Sequence, residues 1–472
     1  MTVRWASLAC ASALFASGCS SEPLGPNVLI VVIDTLRADR LGAYGSTRNL
    51  TPFLDELAAR GVTFERAYAP SSWTSPSVAS LLTSRHPLQH GMTGFDSVLG
   101  DGELTLAESL RPLGYRSAGF SANLLLAERF GLGQGFEHWR VYLPEWVNRD
   151  GDEKVRAGYV RGQALSWLDG STTPNDPRPV LLYLHFMDVH SPYDPPEHLR
   201  GRVAPGASRE SIAALIGRLH DPRVVERFST FTDDEVALLE SLYDAEVVEL
   251  DAQLRQLFAG LEARGFLENA IVVVAADHGE EFGEHDALMH GTTLYEAGVR
   301  VPLLLLAPGL EPGRRVATPV SLLDVAPTIL SLLAVRAPTP FEGRALLPEL
   351  RASTSRDDEE DVLLDLAQKQ VPQQQCAHAL GLVRGSRKLL VDSEGRARVY
   401  DLAHDPSERA AGTESAPPPE LVAGLLRARA ELGQRAAAPA LTATVDAETR
   451  ARLRALGYSI ESAPAEGEAE PP

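Results

Sequence analysis

The sequence has few cysteines, and this shortage excludes a disulfide-held scaffold. It contains three, of which Cys10 and Cys19 lie within the first 22 residues. The body of the chain keeps Cys376 alone, so no disulfide can form within it. A hydrophobic core must therefore hold the fold.

Basic residues and long apolar runs are also scarce. Lys and Arg number 44 against 64 Asp and Glu, a net charge of -20. This balance argues against a surface that binds nucleic acid or anionic lipid through bulk charge, so we expect no nucleic-acid partner. No apolar run reaches the roughly 20 residues of a transmembrane helix. A chain of 472 residues can nevertheless bury a substantial core.

The N-terminus, "MTVRWASLACASALFASGCSSE", has the layout of an export signal: one basic residue, a short apolar stretch and small residues before a cysteine. Residues 16–19 resemble a bacterial lipobox, which implies an export signal at 1–18, lipid attachment to Cys19 and a polar tether at 19–26. We expect an exported lipoprotein, anchored to the bacterial membrane in the cell envelope. An ordinary cleaved signal peptide is the alternative.

Short apolar runs rich in β-branched residues alternate with helical patterns. The runs read as buried parallel strands at 27–34, 180–186, 270–277 and 301–308. The helical patterns lie at 51–61, 75–84 and 242–265, the last ending at a glycine. This alternation predicts an α/β fold with a large, mainly parallel sheet flanked by helices.

The pattern changes near residue 346. A charged linker leads into the short strand-like pieces "VLLDL", "HALGLVRG", "RKLLVDS" and "ARVYDLAHDP", which predict a small antiparallel C-terminal subdomain at 346–412. We expect a helical C-terminal segment at 413–460. The polar, proline-rich end at 461–472 predicts a disordered tail.

Two predicted strands end in acids, Asp34 and Asp277, and the second is followed directly by His278. Ligands of open α/β sheets bind at the carboxyl ends of the strands, so these groups should converge. In "APSSWTSPSVASLLTSRHP", Ser75 and Pro76 predict a helix start with Thr74 just before it, where an anion binds well. The same segment is equally compatible with Thr74 serving only as a helix cap.

Two clusters of histidines add to the candidate site. "LHFMDVHSPYDPPE" brings His185, Asp188 and His190, and "DHGEEFGEHDALMHG" brings His278, His285 and His290. Histidines beside acids in this pattern suit metal and phosphate ligation better than core packing. For His185 and His285 individually, a solvated loop histidine is the preferred interpretation.

Many separate stretches resemble one family. In chain order they are "NVLIVVIDTLRADRLGAYG", "TPFLDELAARGVTFERAYAPSSWTSPSVASLLTSRHPLQHG", "GYRSAGFSAN", "DVHSPYDPP", "VVVAADHGEEFGEHDALMHGTTLYEAGVRVPLLL", "LLDVAPTILSLL" and "YDLAHDPSE". Over about residues 27–410 the chain is similar to sulfatase-like hydrolases of the alkaline phosphatase superfamily. The resemblance implies an alkaline-phosphatase-like fold, ester hydrolysis and a catalytic domain at 27–345.

The resemblance also implies roles for single residues. Asp34, Asp277 and His278 would hold a divalent cation, with Thr74 as a further ligand at the position of the family's nucleophile. Two histidines would grip the anionic oxygens of the substrate, with catalytic roles: His190 and His290. Asn123, in "GFSAN", lies where arylsulfatases bind substrate with a Lys/His pair.

Three departures from the arylsulfatase pattern matter. The CxPxR motif is here Thr74-Ser75-Pro76-Ser77-Val78, and formylglycine forms only from cysteine or serine, so none is expected. Val78 replaces the arginine that steadies that group. Thr35 replaces the second aspartate after the first strand.

The surviving chemistry favours phosphate esters. A formylglycine hydrate expels sulfate through its second hydroxyl, whereas threonine has only one, so water must attack the covalent intermediate. We therefore predict an exported hydrolase of a sulfate or phosphate ester with a Thr74 alkoxide nucleophile; the substrate is a small molecule, glycan or lipid. One divalent ion is expected, zinc or manganese before calcium, and a second is left open.

Two other functions stay open. One is an envelope transferase that moves a phospho-linked head group from lipid to a glycan. The other is a binding lipoprotein that kept the fold and lost turnover, a reading motivated by Val78 and Thr35.

Overall fold

The computed structural model describes residues 25–144, 154–171, 176, 178–221, 228–351, 361–366, 380–392, 394–409, 417, 419–435 and 441–455. The predicted export signal, Cys19, residues 19–24 of the tether, Cys376 and the tail at 461–472 lie outside these ranges. Within the described ranges, none of the helices has the length and apolar character that crossing a membrane requires.

The strands form one large sheet and several small ones. They are β1 Asn27–Ile33, β2 Val62–Phe64, β3 Ala67–Tyr68, β4 Ser97–Val98, β5 Arg116–Ser121, β6 His138–Val141, β7 Val180–Phe186, β8 Ala270–Ala276, β9 Glu281–Phe282, β10 Leu288–Met289, β11 Arg300–Val301, β12 Leu303–Leu306, β13 Arg314–Val316, β14 Val320–Ser321, β15 Asp361–Asp365, β16 Leu380–Arg384, β17 Arg387–Val391, β18 Ala397–Asp401 and β19 Leu441–Thr442. The large sheet has the order β13-β2-β12-β8-β1-β7-β5-β6.

The large sheet is mainly parallel, as predicted. Its neighbouring strands run parallel except at β12, which is antiparallel to both β8 and β2. The prediction that the run at 301–308 is a parallel strand is therefore wrong; the run contributes to β11 and β12. Apolar composition marks a strand as buried but does not encode its direction.

The central strands are buried on both faces because helices cover the sheet. Residues 28–33 of β1 and all of β7 and β8 are buried. The helices are Pro52–Arg60, Thr74–Thr83, Pro87–His90, Leu106–Leu110, Ala157–Ser171, Glu197–Val203, Arg209–Leu219, Asp233–Glu262, Glu296–Val299, Val325–Leu332, Leu347–Arg351, Pro419–Gln434 and Ala447–Ala455. This arrangement confirms the predicted α/β class.

Two helices differ from their predicted limits. The helix Thr74–Thr83 begins one residue earlier than expected, with Trp73 at the N-cap position, so Ser75 is not the cap. Proline fits several positions of a first turn and does not fix the start to one residue. The long helix begins at Asp233, capped by Thr232 and Glu235, and ends at Glu262 before the turn that contains Gly265.

The C-terminal strands β15 to β18 form an antiparallel sheet in sequence order, which confirms the predicted small subdomain. This sheet packs on the preceding part of the protein through a buried hydrophobic cluster that includes Tyr68, Tyr295 and Tyr400. The carbonyl of Leu366 accepts hydrogen bonds from Ser71 Oγ at 3.0 Å and from Trp73 Nε1 at 3.2 Å. The loop before Thr74 is thus held by the subdomain. The predicted domain boundaries stay predictions.

Candidate active site

Four neighbouring strands of the large sheet deliver side chains to one edge. Asp34 follows β1 directly, Asp277 follows β8, Asn123 lies just beyond β5, and His185 is the penultimate residue of β7. All four residues are fully buried. Parallel strands end at the same edge, which explains why residues far apart in sequence meet here.

A cluster of possible metal ligands lies at the centre of this edge. The ligand atoms of Asp34, Asp277 and His278 all lie within 4.8 Å of one another. Nε2 of His278 is 3.6 Å from Oδ1 of Asp34 and 3.5 Å from Oδ2 of Asp277. The other ring nitrogen, Nδ1, hydrogen-bonds to the carbonyl of Gly279 at 2.9 Å, so Nε2 presents its lone pair to the carboxylates.

The chemistry of this cluster fits a divalent cation. Oδ1 of Asp34 and Oδ2 of Asp277 are buried and have no hydrogen-bond partner among the described residues. Buried carboxylate oxygens without a partner are costly, and a cation between them removes that cost. Two carboxylates and an imidazole suit zinc or manganese. The residues predicted to bind metal thus lie together; metal binding itself remains a prediction.

The electrostatics of the two aspartates differ. Burial and the neighbouring charge of Asp34 raise the pKa of Asp277 well above its usual value. For Asp34, burial also acts to raise the pKa, but the electrostatic interaction with the neighbouring ring of His190 and the hydrogen bond from His185 outweigh it and lower the pKa overall. A bound cation would favour the ionised form of both carboxylates.

Thr74 is the first residue of its helix and lies beside the cluster. Its Oγ1 is 3.3 Å from Nε2 of His278 and 3.4 Å from Nδ2 of Asn123. The residue is fully buried at the positive end of the helix dipole. Thr74 therefore lies next to the predicted metal ligands; its role as nucleophile stays a prediction.

Asn123 contacts the protein with both ends of its side chain. Its Nδ2 donates to Oδ2 of Asp34 at 2.7 Å, and its Oδ1 accepts from the backbone N–H of Leu125 at 2.8 Å. These contacts hold the carboxylate of Asp34. Substrate binding by Asn123 stays a prediction.

His190 and His290 form an adjacent pair with different charge. Their ring centroids are 5.0 Å apart, and that of His290 is 4.4 Å from that of His278. Burial lowers the pKa of His190. Burial also acts against charge on His290, but Glu280, whose Oε1 is 2.9 Å from Nδ1 of His290, raises its pKa. The pair thus combines an imidazole that resists protonation with one that favours it.

Two histidines expected to be solvated are not. His185 is fully buried in β7, and its Nε2 lies 2.9 Å from Oδ2 of Asp34. The side chain of His285 is 10% exposed and stacks on Tyr295 with centroids 3.5 Å apart. A signal for His185 existed, because the run at 180–186 was itself predicted to be a buried strand.

Sequence reasoning missed three charged groups behind the site. Lys154 pairs with Glu246 at 2.7 Å, and its Nζ donates to the carbonyls of Asp188 and His190 at 2.5 and 3.2 Å. Glu280 accepts from Tyr193 Oη at 2.8 Å as well as from His290. Asp188 accepts a hydrogen bond from the N–H of Ala157 at 3.0 Å. It therefore lies with these charged groups, which form an outer layer behind the candidate ligands. No spacing in the sequence links these residues.

Comparison with known proteins places this site in a family. The family model "Sulfatase" matches residues 26–335. The chain belongs to the sulfatase family. The C-terminal model of N-sulphoglucosamine sulphohydrolase matches residues 283–430 of the chain. Enzymes of this family hydrolyse anionic esters and use a divalent metal ion.

Several relatives and solved structures are similar to this chain. The ulvan-active sulfatase of Formosa agariphila is 27% identical, covering 73% of this chain and 69% of that protein. Arylsulfatase K of Bos taurus is 26% identical, with 74% and 72% covered. The phosphonate monoester hydrolase of Agrobacterium radiobacter superposes with a TM-score of 0.68 at 22% identity, covering 87% of this chain and 96% of that one. A structure in complex with its substrate D-glucosamine-2-N,6-O-disulfate gives 0.64 at 20%, covering 87% and 98%.

The departures from the arylsulfatase pattern have structural counterparts. Val78 is fully buried in the main hydrophobic core of the chain, an environment that suits an aliphatic side chain. Thr35 adopts a positive φ of 60°, and its N–H donates to Oδ1 of Asp277 at 3.3 Å. The backbone of Thr35 therefore donates a hydrogen bond to the carboxylate of Asp277, a predicted metal ligand, at the position where the family's second aspartate would stand.

Proposed function

We propose that this sulfatase-family chain is an exported, metal-dependent hydrolase that cleaves an anionic ester through Thr74, with phosphate esters preferred over sulfate. The observation that carries the proposal is the position of the Thr74 hydroxyl, 3.3 Å from Nε2 of His278. That nitrogen faces two buried carboxylate oxygens that have no hydrogen-bond partner in the part of the chain that the structure describes. A nucleophile needs such a neighbourhood, because a free threonine hydroxyl is too weakly acidic to attack an ester.

The ligand cluster is Asp34, Asp277 and His278, with Thr74 as a fourth group. A divalent ion bound there would lower the pKa of the Thr74 hydroxyl and offset the negative charge of the substrate. The buried setting keeps competing water away from the nucleophile. It also strengthens each electrostatic contact relative to bulk water.

Before the substrate displaces water from the site, the Thr74 hydroxyl gives its proton to that water. In the first step, Oγ1 of Thr74 then attacks phosphorus, and the bond from phosphorus to the leaving oxygen breaks. The leaving oxygen takes a proton from His290, whose pKa is raised by Glu280 despite burial. Burial lowers the pKa of His190, so this imidazole is neutral before the second step and can accept a proton from the attacking water. The water oxygen bonds to phosphorus, the bond from phosphorus to Oγ1 breaks, and phosphate is released. The proton on His190 then passes to Oγ1 and restores the Thr74 hydroxyl.

The preference for phosphate follows from the single hydroxyl of Thr74. A threonine sulfate cannot collapse by expelling sulfate, because no second hydroxyl is available to re-form a carbonyl. Direct attack of water on the ester intermediate is the required exit, and it is a route natural to phosphoryl groups.

The substrate we propose is an anionic ester on a glycan or small molecule. Support comes from the relatives, since one is named for activity on ulvan and another was solved with a glucosamine disulfate. A third, a phosphonate monoester hydrolase, acts on a phosphorus ester. We further propose that the enzyme acts in the cell envelope, held by a lipid on Cys19, on the basis of the N-terminal sequence.

The experiment is a paired assay of residues 22–472 with an aryl sulfate, an aryl phosphate and a bis-aryl phosphate, each with zinc, manganese or calcium. We expect phosphate-ester turnover that disappears in Thr74→Ala. Sulfate turnover that survives in Thr74→Ala would contradict the proposed nucleophile. A complete lack of turnover, with metal bound, would favour the binding-protein alternative.

A further inference from the structure

The two carboxylate oxygens of Asp34 have different surroundings. Oδ2 receives two hydrogen bonds, from Nδ2 of Asn123 at 2.7 Å and from Nε2 of His185 at 2.9 Å. Oδ1 has no hydrogen-bond partner within the described ranges and faces Nε2 of His278 at 3.6 Å. The carboxylate is therefore held on one side and open on the side of the ligand cluster.

The hydrogen bonds of His185 define its tautomer. An ionised carboxylate can only accept, so Nε2 of His185 carries a hydrogen and donates it to Asp34. Nδ1 of His185 lies 3.0 Å from the hydroxyl of Tyr183. Burial raises the pKa of Tyr183 well above its usual value, so that hydroxyl keeps its proton and donates it to Nδ1. The direction of donation runs from Tyr183 to His185 to Asp34.

The packing of the sheet fixes this chain of donors in place. Tyr183 and His185 are two residues apart on β7, so their side chains lie on the same face. In the parallel register, His185 is opposite Val32 of β1, two residues before Asp34. The ring of Tyr183 stacks on Trp139 with centroids 5.4 Å apart, and Nε1 of Trp139 donates to the carbonyl of Leu126 at 2.8 Å. Little rotational freedom remains along the chain.

We propose that His185, oriented by Tyr183, is a positioning residue that holds Oδ2 of Asp34 so that Oδ1 alone is presented to the metal ion. The inference rests on the metal site of the proposed function but not on the identity of the nucleophile. Without His185, one oxygen of a buried carboxylate loses a donor and the group is free to rotate. Loss of a residue that hydrogen-bonds a metal ligand commonly weakens metal binding by about 10–100-fold.

The test measures metal affinity rather than turnover. The full soluble chain is stripped with a chelator, and zinc and manganese are titrated separately by calorimetry. The variants are His185→Leu, which removes the donor, His185→Gln, which keeps an N–H donor, and Tyr183→Phe, which removes only the orienting hydroxyl. Tyr115→Phe is the matched control, since its hydroxyl bonds the carbonyl of Pro26 at the opposite edge of the sheet.

We expect His185→Leu to weaken metal binding by about 10–100-fold and Tyr183→Phe by up to about tenfold. His185→Gln should recover part of the loss, and Tyr115→Phe should bind metal as the wild type does. The melting temperature of each metal-free variant separates lost metal affinity from lost folding. If His185→Leu does not fold, Tyr183→Phe carries the test alone.

Unchanged dissociation constants in both His185→Leu and Tyr183→Phe would overturn the inference while leaving the metal site intact. A wild-type chain that binds neither zinc nor manganese would overturn the inference together with the metal dependence of the proposed function. Turnover that disappears in Thr74→Ala, or persists there, bears only on the nucleophile.

Discussion

The hydroxyl oxygen of Thr74 lies 3.3 Å from Nε2 of His278, the same nitrogen that faces a carboxylate oxygen of Asp34 and one of Asp277. The first residue of a helix is thereby joined to the ends of two parallel strands. The arrangement provides a hydroxyl, a cation-binding cluster and a helix N-terminus at one point. The predictions below follow from it and from the residues that surround it.

Thr74→Ala should lower kcat for phosphate esters by roughly 10³-fold or more, since the nucleophile is lost. Thr74→Ser should retain measurable turnover because it keeps the hydroxyl. The control is Thr83→Ala at the other end of the same helix, where the hydroxyl bonds the carbonyl of Ala79 at 2.7 Å. Equal loss of activity in Thr74→Ala and Thr83→Ala would point to helix stability instead of nucleophilic attack.

His290→Ala should reduce turnover in a way that depends on the leaving group. Alkyl phosphates need a proton on the leaving oxygen, so we expect a loss of about 10²–10⁴-fold for them. Activated aryl phosphates leave without that help and should lose much less. His285→Ala is the control, because that ring stacks on Tyr295 away from the ligand cluster. A uniform loss across all leaving groups would argue against His290 as the acid.

Removing the metal should lower both activity and melting temperature. A ligand that binds only the folded state at 100 times its dissociation constant stabilises that state by about 2.7 kcal/mol. We expect a chelator to abolish turnover, and zinc or manganese to restore it better than calcium. Activity and melting temperature that do not respond to the chelator would contradict a functional metal at Asp34, Asp277 and His278.

Lys154 should stabilise both the fold and the position of His190. Its pairing with Glu246 is almost completely buried, at 4% and 0% side-chain exposure. In Lys154→Met, Glu246 keeps its ion pair with Arg156, so we expect a loss of unfolding free energy below the roughly 3–5 kcal/mol of a fully broken buried pair, and a raised KM. Arg156→Met, at a site 26% exposed, should cost less. Denaturant unfolding of both variants compares them directly.

His90 should make the protein sensitive to acid. Burial lowers its pKa to about 3, and its Nδ1 accepts from the N–H of Met92 at 3.2 Å while Nε2 contacts Ser80 Oγ at 3.0 Å. Between that pKa and the ordinary value near 6.5, the unfolded chain binds a proton that the folded chain does not. The contribution of His90 to the free energy of unfolding is therefore complete above about pH 6.5 and decreases by about 1.4 kcal/mol for each pH unit below it.

Unfolding free energies measured from pH 7 down to pH 4.5 test this slope. In His90→Gln the contribution of this group should vanish, so its curve should be flatter than that of the wild type. Parallel curves for the two proteins would assign the acid sensitivity to other groups.

Much of the site could be predicted because its residues follow strong local patterns. Asp34 and Asp277 end long apolar runs, and parallel strands bring such ends to one edge. Thr74 was identified from helix-start chemistry, although the helix begins at Thr74 itself and not after it. The direction of β12 could not be predicted, since the periodicity of a buried strand is the same in either orientation.

The outer layer of the site could not be predicted from local patterns. Lys154 and Glu246 come from different segments, and only the tertiary fold pairs them. Glu280 and Tyr193 likewise come from different segments and are paired only by the tertiary fold. His185 is a different case: the apolar run at 180–186 contains it, so the pattern of the strand predicts burial, and the interpretation as a solvated loop histidine was wrong.

The most direct test of the account is to look for phosphothreonine at Thr74 during turnover. The enzyme is mixed with an aryl phosphate and its preferred metal, quenched in acid, digested, and examined by mass spectrometry. We predict that the peptide containing Thr74 gains one phosphoryl group, on Thr74 itself and only when substrate is present. An unmodified peptide during rapid turnover, or a phosphoryl group on another residue, would contradict the account.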